Sequence, residues 1–407
     1  MTTARTGPRP ADFADVRATN LAVVLRQVRV AAPCSRADIA ASTGLNKATV
    51  SSLVAELIER RMLRETGLTA NRIGRPATML VIDGSGYAAI GVQIGTDQLT
   101  AIGLDLAGRR VLTWHRSLPP TGRSPGRVIA EVARLARRAA ARIQTDGGSV
   151  VGLTVAVPGL VDTTGLVRVA PGLGWTDVDL RGGLAKTLGN AGFPVDVDSD
   201  ATLGAVAEHR YGGRAATADL AYLAGPPGGG VGIIAAGHPL RGAQGFAGAI
   251  GHLPIEPSGP RCPRCGGRGC LDVLAGVPAL LQRTGTDPAD SLDLDTEVAQ
   301  LALRAAAGDP HVLATLATAG AHLAHAVAVV VNLLNPEAVL LGGQYAPLAP
   351  WLLPTAAREL RRLTAAPDAG AVQLAASALG TDAPALGAAA TALDTIDSAQ
   401  SAFTRPA

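Results

Sequence analysis

Between Pro33 and Asn46 the chain carries a dense run of start and stop signals, and they leave few local folds open. Upstream, Leu21, Val24, Leu25 and Val28 recur at helical spacing, so one amphipathic helix should end before Pro33. Ser35-Arg36-Ala37-Asp38 then has the form of a capping box, with Asp in place of the usual Glu or Gln, opening a second helix to about Thr43. Gly44 tolerates the positive φ of a sharp helix exit. Asn46 can cap a third helix whose buried stripe is Val50, Leu53, Val54, Leu57 and Ile58. This is helix-turn-helix spacing. The other face of the third helix holds Asn46, Lys47, Ala48, Thr49, Ser51 and Ser52, short groups that let a helix enter the major groove of DNA, and Ser35 and Arg36 at the start of the second helix join them as candidate DNA contacts. Past Met62 the pattern becomes a hairpin, 63–66 with 77–82, around a tip from which Arg72 and Arg75 can reach phosphates or a narrow minor groove. A three-helix core that happens to be basic, or a helix-turn-helix used for protein contacts, is the competing reading. Cys34 reads as a small buried residue or a reactive thiol.

Charge is distributed accordingly. Net charge is +3, yet residues 1–80 hold 12 Lys+Arg against 6 Asp+Glu, and the remainder holds 24 against 27. One basic module on a faintly acidic body implies a polyanionic partner for that module. Lysine is scarce beside arginine, which weakens any single Arg as evidence. At 407 residues and 47% hydrophobic, the chain has material for two or three globular domains. No apolar segment follows a basic start, and the most apolar stretch, 324–334, is too short to span a bilayer and is broken by His325 and Asn332. The expectation is a cytoplasmic protein without a membrane partner.

Asp83-Gly84-Ser85-Gly86 reads as a linker. Apolar alternation then resumes at 88–92 and 99–106 around a turn at Gly95, and a similar arrangement returns at 220–224 and 231–235, flanking Gly228-Gly229-Gly230. Two related halves facing a cleft fit an actin-like ATPase fold. Glycine hairpins let backbone amides approach phosphate, although with 49 Gly in the chain a plain loop is equally open.

From Ser35 to Val50, with Gly74-Arg75-Pro76 downstream, the sequence closely resembles the winged-helix region of ROK-family repressors. The likeness continues through Val157-Pro158-Gly159, Gly174-Trp175, Asp200-Ala201, Gly251-His252, Asn335-Pro336-Glu337, Gly342-Gly343 and Leu386-Gly387-Ala388. It implies an N-terminal winged helix-turn-helix, mainly α, followed by a two-lobed α/β actin-like ATPase (ribonuclease H-like) ROK domain. The expected boundaries are tails at 1–11 and 397–407, a DNA-binding domain at 12–82, and a linker at 83–86. Lobe 1 is expected at 87–197 plus about 382–396, and lobe 2 at 198–381.

ROK kinases open this region with Asp-x-Gly-Gly-Thr, and the matching stretch here is Gln93-Ile94-Gly95-Thr96-Asp97. Gln93 replaces the acid associated with metal and phosphate. Together with Thr96, Asp97 breaks the phosphate-holding run, and its charge opposes phosphoryl transfer. The sugar-gripping set the family implies falls on Gly172, Ser199-Asp200, Ala249, His252 and Asp272, with several hydroxyl-binding groups shortened or deleted. In a kinase Asp200 would be the general base; without phosphate machinery it orients a ligand or caps the following helix. An ordinary hexose is thus doubtful as effector, and a modified sugar, a phosphosugar or none stays open.

His252, Cys262, Cys265 and Cys270 form H-x9-C-x2-C-x4-C, the donor set of one closed structural zinc site. The family pattern has one residue fewer between the first two cysteines, so the loop should differ while the site persists. His238, His322 and His325 read as surface or packing residues. Together these features predict a DNA-binding transcriptional regulator, a repressor of carbohydrate-related genes, with a non-catalytic kinase-like part. It should work as a homodimer or homotetramer on double-stranded operator DNA. A sugar kinase with an appended DNA-binding module and a ligand-independent DNA-binding regulator are the alternatives.

Overall fold

The computed structural model describes residues 13–68, 78–119, 123–213, 217–225, 230–286, 294–366 and 372–397. The first helix, α1 (Phe13–Ala31), buries Leu21, Val24, Leu25 and Val28, the stripe its periodicity predicts. Strand β1 (Cys34–Ser35) leads into α2 (Arg36–Thr43), and both halves of the capping box form. The Asp38 amide donates to Ser35 Oγ at 3.2 Å, and the Ser35 amide donates to Asp38 Oδ2 at 2.9 Å. Gly44 leaves the helix at φ 74, where a Cβ costs about 1–2 kcal/mol. Asn46 Oδ1 accepts from the Thr49 amide at 2.8 Å and starts α3 (Lys47–Glu59). Strands β2 (Leu63–Leu68) and β3 (Thr78–Ile82) pair antiparallel, with β1 on the far side of β3. Arg72 and Arg75, expected at the hairpin tip, lie outside the described residues.

The segment 83–86, expected as a linker, is pinned on both sides. The Asp83 amide donates to Met62 O, the Ser149 amide donates to Gly86 O, and the Arg61 guanidinium donates to Ser85 O and Gly147 O. Leu21, Val24 and Leu25 share one continuous core with Leu106, Leu393 and Ile396, so the first module is docked on the rest by apolar burial.

Two five-stranded sheets follow, built to one plan. The first comprises β4 (Tyr87–Ile94), β5 (Gln98–Asp105), β6 (Arg110–Ser117), β7 (Ser149–Val157) and, after the small hairpin β8 (Leu160–Val161), β9 (Val167–Ala170) and β10 (Trp175–Val178), β11 (Val195–Ser199). The second comprises β12 (Leu220–Leu223), β13 (Val231–Ala235), β14 (His238–Pro239), β15 (Ala338–Leu341) and β16 (Gln373–Ala376). Their orders, β6-β5-β4-β7-β11 and β14-β13-β12-β15-β16, superpose element for element, with two antiparallel pairings followed by two parallel ones. The duplication expected from the two strand pairs is therefore present, although residues 226–229 of the second glycine run lie outside the described set.

Helices α4 (Pro125–Thr145) and α5 (Leu180–Leu188) pack together beside the first sheet, while α6 (Asp200–Tyr211) covers β12 and β13 of the second. The second half adds α7 (Leu271–Ala275), α8 (Val277–Arg283), α9 (Leu294–Ala306), α10 (Pro310–Leu334) and α11 (Ala349–Leu363). The last helix, α12 (Ala383–Leu393), is wedged between β4 and α6. Glycine makes that wedge possible: a Cβ on Gly91 would collide with Ala385 O, and one on Gly387 with Leu203 O.

Helix α10 corrects one expectation. Its 25 residues begin at Pro310, well before the apolar stretch at 324–334, and by length and composition alone it could cross a bilayer. It instead buries Val312, Leu316, Leu323 and Val327 against α11 and α7, as the central helix of the second core. Asn335 ends it at φ 46 and Pro336 prevents its continuation.

Candidate functional site

Three sites can be followed from the sequence into the structure. On α3, Asn46, Lys47, Ala48, Ser51 and Ser52 are exposed and Thr49 is half-buried, while Val50, Leu53, Val54 and Leu57 face inward. Lys47 has no ion pair or hydrogen bond among the described residues, so its charge is available to a ligand. The flanking residues are less available. Ser35 is buried and its hydroxyl is spent on Asp38, and Arg36 pairs with Glu65 at 2.9 Å. Sequence reasoning passed over Arg17, whose guanidinium reaches Glu56 at 2.6 Å and Ser52 Oγ at 3.4 Å and so borders the same face.

The second site is the cleft between the two sheets. Gln93, Thr96 and Asp97 lie at the β4–β5 turn and line a cavity of about 60 Å³ together with Asp200, Tyr222 and Gln344. That space holds a few water molecules. Asp97 is 8% exposed, and its carboxylate accepts a hydrogen bond from the Leu294 amide at the start of α9. A carboxylate there occupies the kind of place, a helix N-terminus, that ordinarily attracts an anion. Beside it, Gln98 Nε2 donates to Asp295 Oδ2 at 2.8 Å, and Gln344 Nε2 donates to Asp295 Oδ1 at 3.4 Å. The turn of the first half is thus clipped to α9 of the second. Burial pulls the Arg123 guanidinium below the ordinary arginine value, and the Asp97 carboxylate partly offsets this.

Ser199 and Asp200 divide the two roles foreseen for them. Ser199 caps α6, its Oγ accepting from the Thr202 amide, whereas the Asp200 carboxylate both accepts from the Ala201 amide and faces the cavity. Burial pushes Asp200 up to about 7, against 3.8 for an ordinary aspartate. The folded state therefore holds a proton that the unfolded state releases near pH 4, and this contribution to stability is lost as pH rises toward 7. Unfolding free energies measured by denaturant titration from pH 4.5 to 7.5 should fall more steeply for the native protein than for Asp200→Asn, by up to about 1.4 kcal/mol per pH unit. Parallel curves would contradict this environment for Asp200.

The remaining sugar-set positions are dispersed in kind. Gly172, in the short turn 171–173, offers only backbone, and Ala249 has no polar side chain. Asp272 lies against Gly251, its amide donating to Gly251 O at 3.0 Å, and so adjoins His252. A pair that sequence reasoning missed sits nearby: Asp198, held up by burial, accepts from Arg241 Nε at 2.9 Å.

The third site is the cluster of His252, Cys262, Cys265 and Cys270, whose donor atoms all lie within 4.8 Å of one another. His252 Nδ1 is 3.7 Å from Cys262 Sγ, and Cys265 Sγ is 3.4 Å from Cys270 Sγ. A tetrahedral ion with bonds of about 2.1–2.3 Å separates its donors by roughly 3.4–3.8 Å, so the four fit one metal. No disulfide competes among these cysteines. The loop is closed by backbone pairing, with the Leu271 amide donating to Leu253 O, and Cys270 leads directly into α7, which carries Asp272.

The sequence profile of the ROK family matches residues 89–395, three quarters of the chain and both sheets. The chain belongs to the ROK family. Ahead of the ROK region, residues 19–67 match the IclR helix-turn-helix domain. The xylose repressor of Bacillus subtilis (strain 168) is 29% identical over 389 residues, covering 94% of this chain and 97% of that one. The DNA-binding transcriptional dual regulator NagC of Escherichia coli (strain K12) is 29% identical, covering 83% of this chain and 84% of its own length. Among solved structures, a ROK family transcriptional regulator, homologue of the E. coli MLC protein, shares the fold over 94% of this chain and 97% of its own, with TM-score 0.77 at 24% identity. A ROK family glucokinase from Streptomyces griseus covers 75% of this chain and 98% of its own, with TM-score 0.59 at 25% identity. Full-length similarity thus runs to regulators. The glucokinase matches a portion about the size of the ROK region.

Proposed function

We propose that this ROK protein is a sugar-responsive, DNA-binding transcriptional repressor whose kinase-like part senses a ligand and does not transfer phosphate. The observation that carries the reading is the Asp97 carboxylate at the start of α9, where a kinase would need room and positive potential for a phosphoryl group. Gln93 adds no carboxylate to hold a metal ion. Repressors of similar length among the relatives support the regulatory role. An ATP-dependent phosphorylation assay over hexoses and aminosugars tests it: no turnover above background is expected, and turnover abolished by Asp200→Asn would make the chain a sugar kinase.

The DNA-reading groups are the cap residue Asn46 and Lys47, Ala48, Thr49, Ser51 and Ser52 of α3, with Arg36, Arg72 and Arg75 as further cationic contacts. Ser35 contributes by fixing α2 through its cap. A homodimer or homotetramer would present paired reading heads to a palindrome with half-sites about one or two helical turns apart. Fluorescence anisotropy with upstream duplexes should give about tenfold weaker binding and a shallower salt slope for Arg75→Ala, and altered sequence preference for Lys47→Ala. Identical isotherms for both variants would sink this placement of helix and wing.

The ion held by His252, Cys262, Cys265 and Cys270 is zinc, one per chain, in a structural role. His252 Nδ1, the ring nitrogen beside Cys262 Sγ, would be its ligand atom and would leave Nε2 for other contacts, and Asp272 follows on α7. Metal and effector positions are thereby coupled. The effector is a small carbohydrate-like molecule contacted by Ser199, Asp200, His252 and Asp272 near Gly172, and the protein acts in the cytoplasm. Such a ligand switches DNA binding only if it prefers one arrangement of the lobes over the other.

A further inference from the structure

A cavity of about 1140 Å³ lies at the joint between the DNA-reading module and the ROK region, away from the sugar cleft. Its walls come from both sides: Arg29 at the end of α1 and Arg64 on β2 belong to the first module, and Arg109, Arg210, Tyr211 and Asp394 to the second. Segment 83–85 closes the gap between them. Four guanidinium groups and the carboxylates of Asp83 and Asp394 line the cavity, and Asp105 stands behind Arg109, which leaves a small excess of positive charge in a chain whose second part is faintly acidic.

The arrangement of these cations is fixed by the protein. Arg210 is held by Asp394 at 2.9 and 2.6 Å and by Ala390 O at 3.2 Å. Arg109 is anchored to Asp105, yet its side chain remains 73% exposed. Arg64 has no hydrogen bond or ion pair among the described residues. Tyr211 packs its ring beneath Gly108, where a Cβ would stand 3.3 Å away; burial pushes its phenol up, so the hydroxyl keeps its proton as a donor, and the charges near it are mixed, Arg210 and Arg29 against Asp394 and Asp105. A phenol and several guanidinium groups lining one wide pocket are a donor set for a doubly charged oxyanion.

We propose that the joint cavity binds a phosphate monoester of about sugar size, through Arg64, Arg109 and the Tyr211 hydroxyl, and thereby fixes the DNA-reading module against the ROK region. The ligand touches both modules, so it favours the docked arrangement over any in which they separate. The consequence for DNA rests on the proposed reading of the first module; the binding itself does not.

Calorimetric titration of the full chain tests it, with glucose 6-phosphate, glucose and inorganic phosphate as probes. Glucose 6-phosphate should bind, and glucose should not bind at the joint. Arg64→Glu and Tyr211→Phe should each weaken glucose 6-phosphate, the first by about tenfold or more. Asp272→Asn, in the sugar cleft, should leave that affinity unchanged. Tighter binding of glucose 6-phosphate than of inorganic phosphate assigns the sugar ester as ligand. Equal binding of the two contradicts that ligand class. Absence of binding, affinity indifferent to Arg64→Glu, or affinity lost in Asp272→Asn would overturn the proposal. Displacement by a random DNA duplex would also overturn it, since these arginines would then belong to the DNA footprint. A chain that binds glucose 6-phosphate at the joint yet no duplex would refute only the DNA-reading assignment.

Discussion

Cys270→Ala should release the bound metal and lower the melting temperature by on the order of 10 °C or more. Free energies of structural zinc sites run to about 10–16 kcal/mol in small peptides, and binding energy of this kind is folding energy. Here only part of it acts globally, because the second core has ample apolar burial of its own. Several kcal/mol remain at stake, since Cys270 is the residue from which α7 starts, and Leu271 and Ala275 of α7 lie in that core. Elemental analysis should find about one zinc per native chain and none in the variant. A strong chelator should reproduce the loss of stability in the native protein. Equal melting temperatures with and without metal would contradict a structural centre. Sugar-dependent changes should weaken in parallel, because His252 and Asp272 flank the loop at its two ends.

Asp97→Ala should destabilise the protein by about 2–4 kcal/mol and open the cleft. The substitution removes the acceptor of the Leu294 amide and leaves partly buried Arg123 without its supporting charge, and losing one member of such a set costs more than the bond was worth. Gln98 and Asp295 would keep a weaker clip between the halves. Solution scattering should report a larger radius of gyration for the variant, and hydrogen exchange should quicken at the start of α9. If the variant keeps native dimensions and native exchange there, Asp97 is not what closes the cleft.

Much of the fold was legible wherever its cause is local. Ser35, Asp38, Gly44 and Asn46 each act within a few residues, and α2 begins and ends, and α3 begins, where those signals place them. Strand alternation was equally readable, since a half-buried strand must repeat every second residue. The metal donors declared themselves through spacing, with His252 brought in by the backbone pairing that closes the loop.

What the sequence concealed depends on partners far along the chain. Asp97 meets Leu294 across 197 positions, so it read only as a charge hostile to phosphate and not as a clip. Arg241 meets Asp198 across 43. Helix α10 was undervalued because His311, Thr315 and Thr318 dilute its apolar start, although packing on α11 and α7 determines its true length. Ser35 was offered to DNA when its hydroxyl is consumed by its own helix. The packed joint at 83–86 was invisible for a related reason: Asp-Gly-Ser-Gly has the composition of a free tether, and only the amide of Asp83 and the guanidinium of Arg61 reveal that it is fastened.

Genome-wide mapping of the sites occupied by the full-length chain tests the central claim most directly. Occupancy should concentrate at a small number of palindromic sites beside genes for carbohydrate uptake or breakdown, and it should fall when the inducing sugar is supplied. A map without enriched sites, in cells where the folded, metal-loaded protein is abundant, would contradict the account.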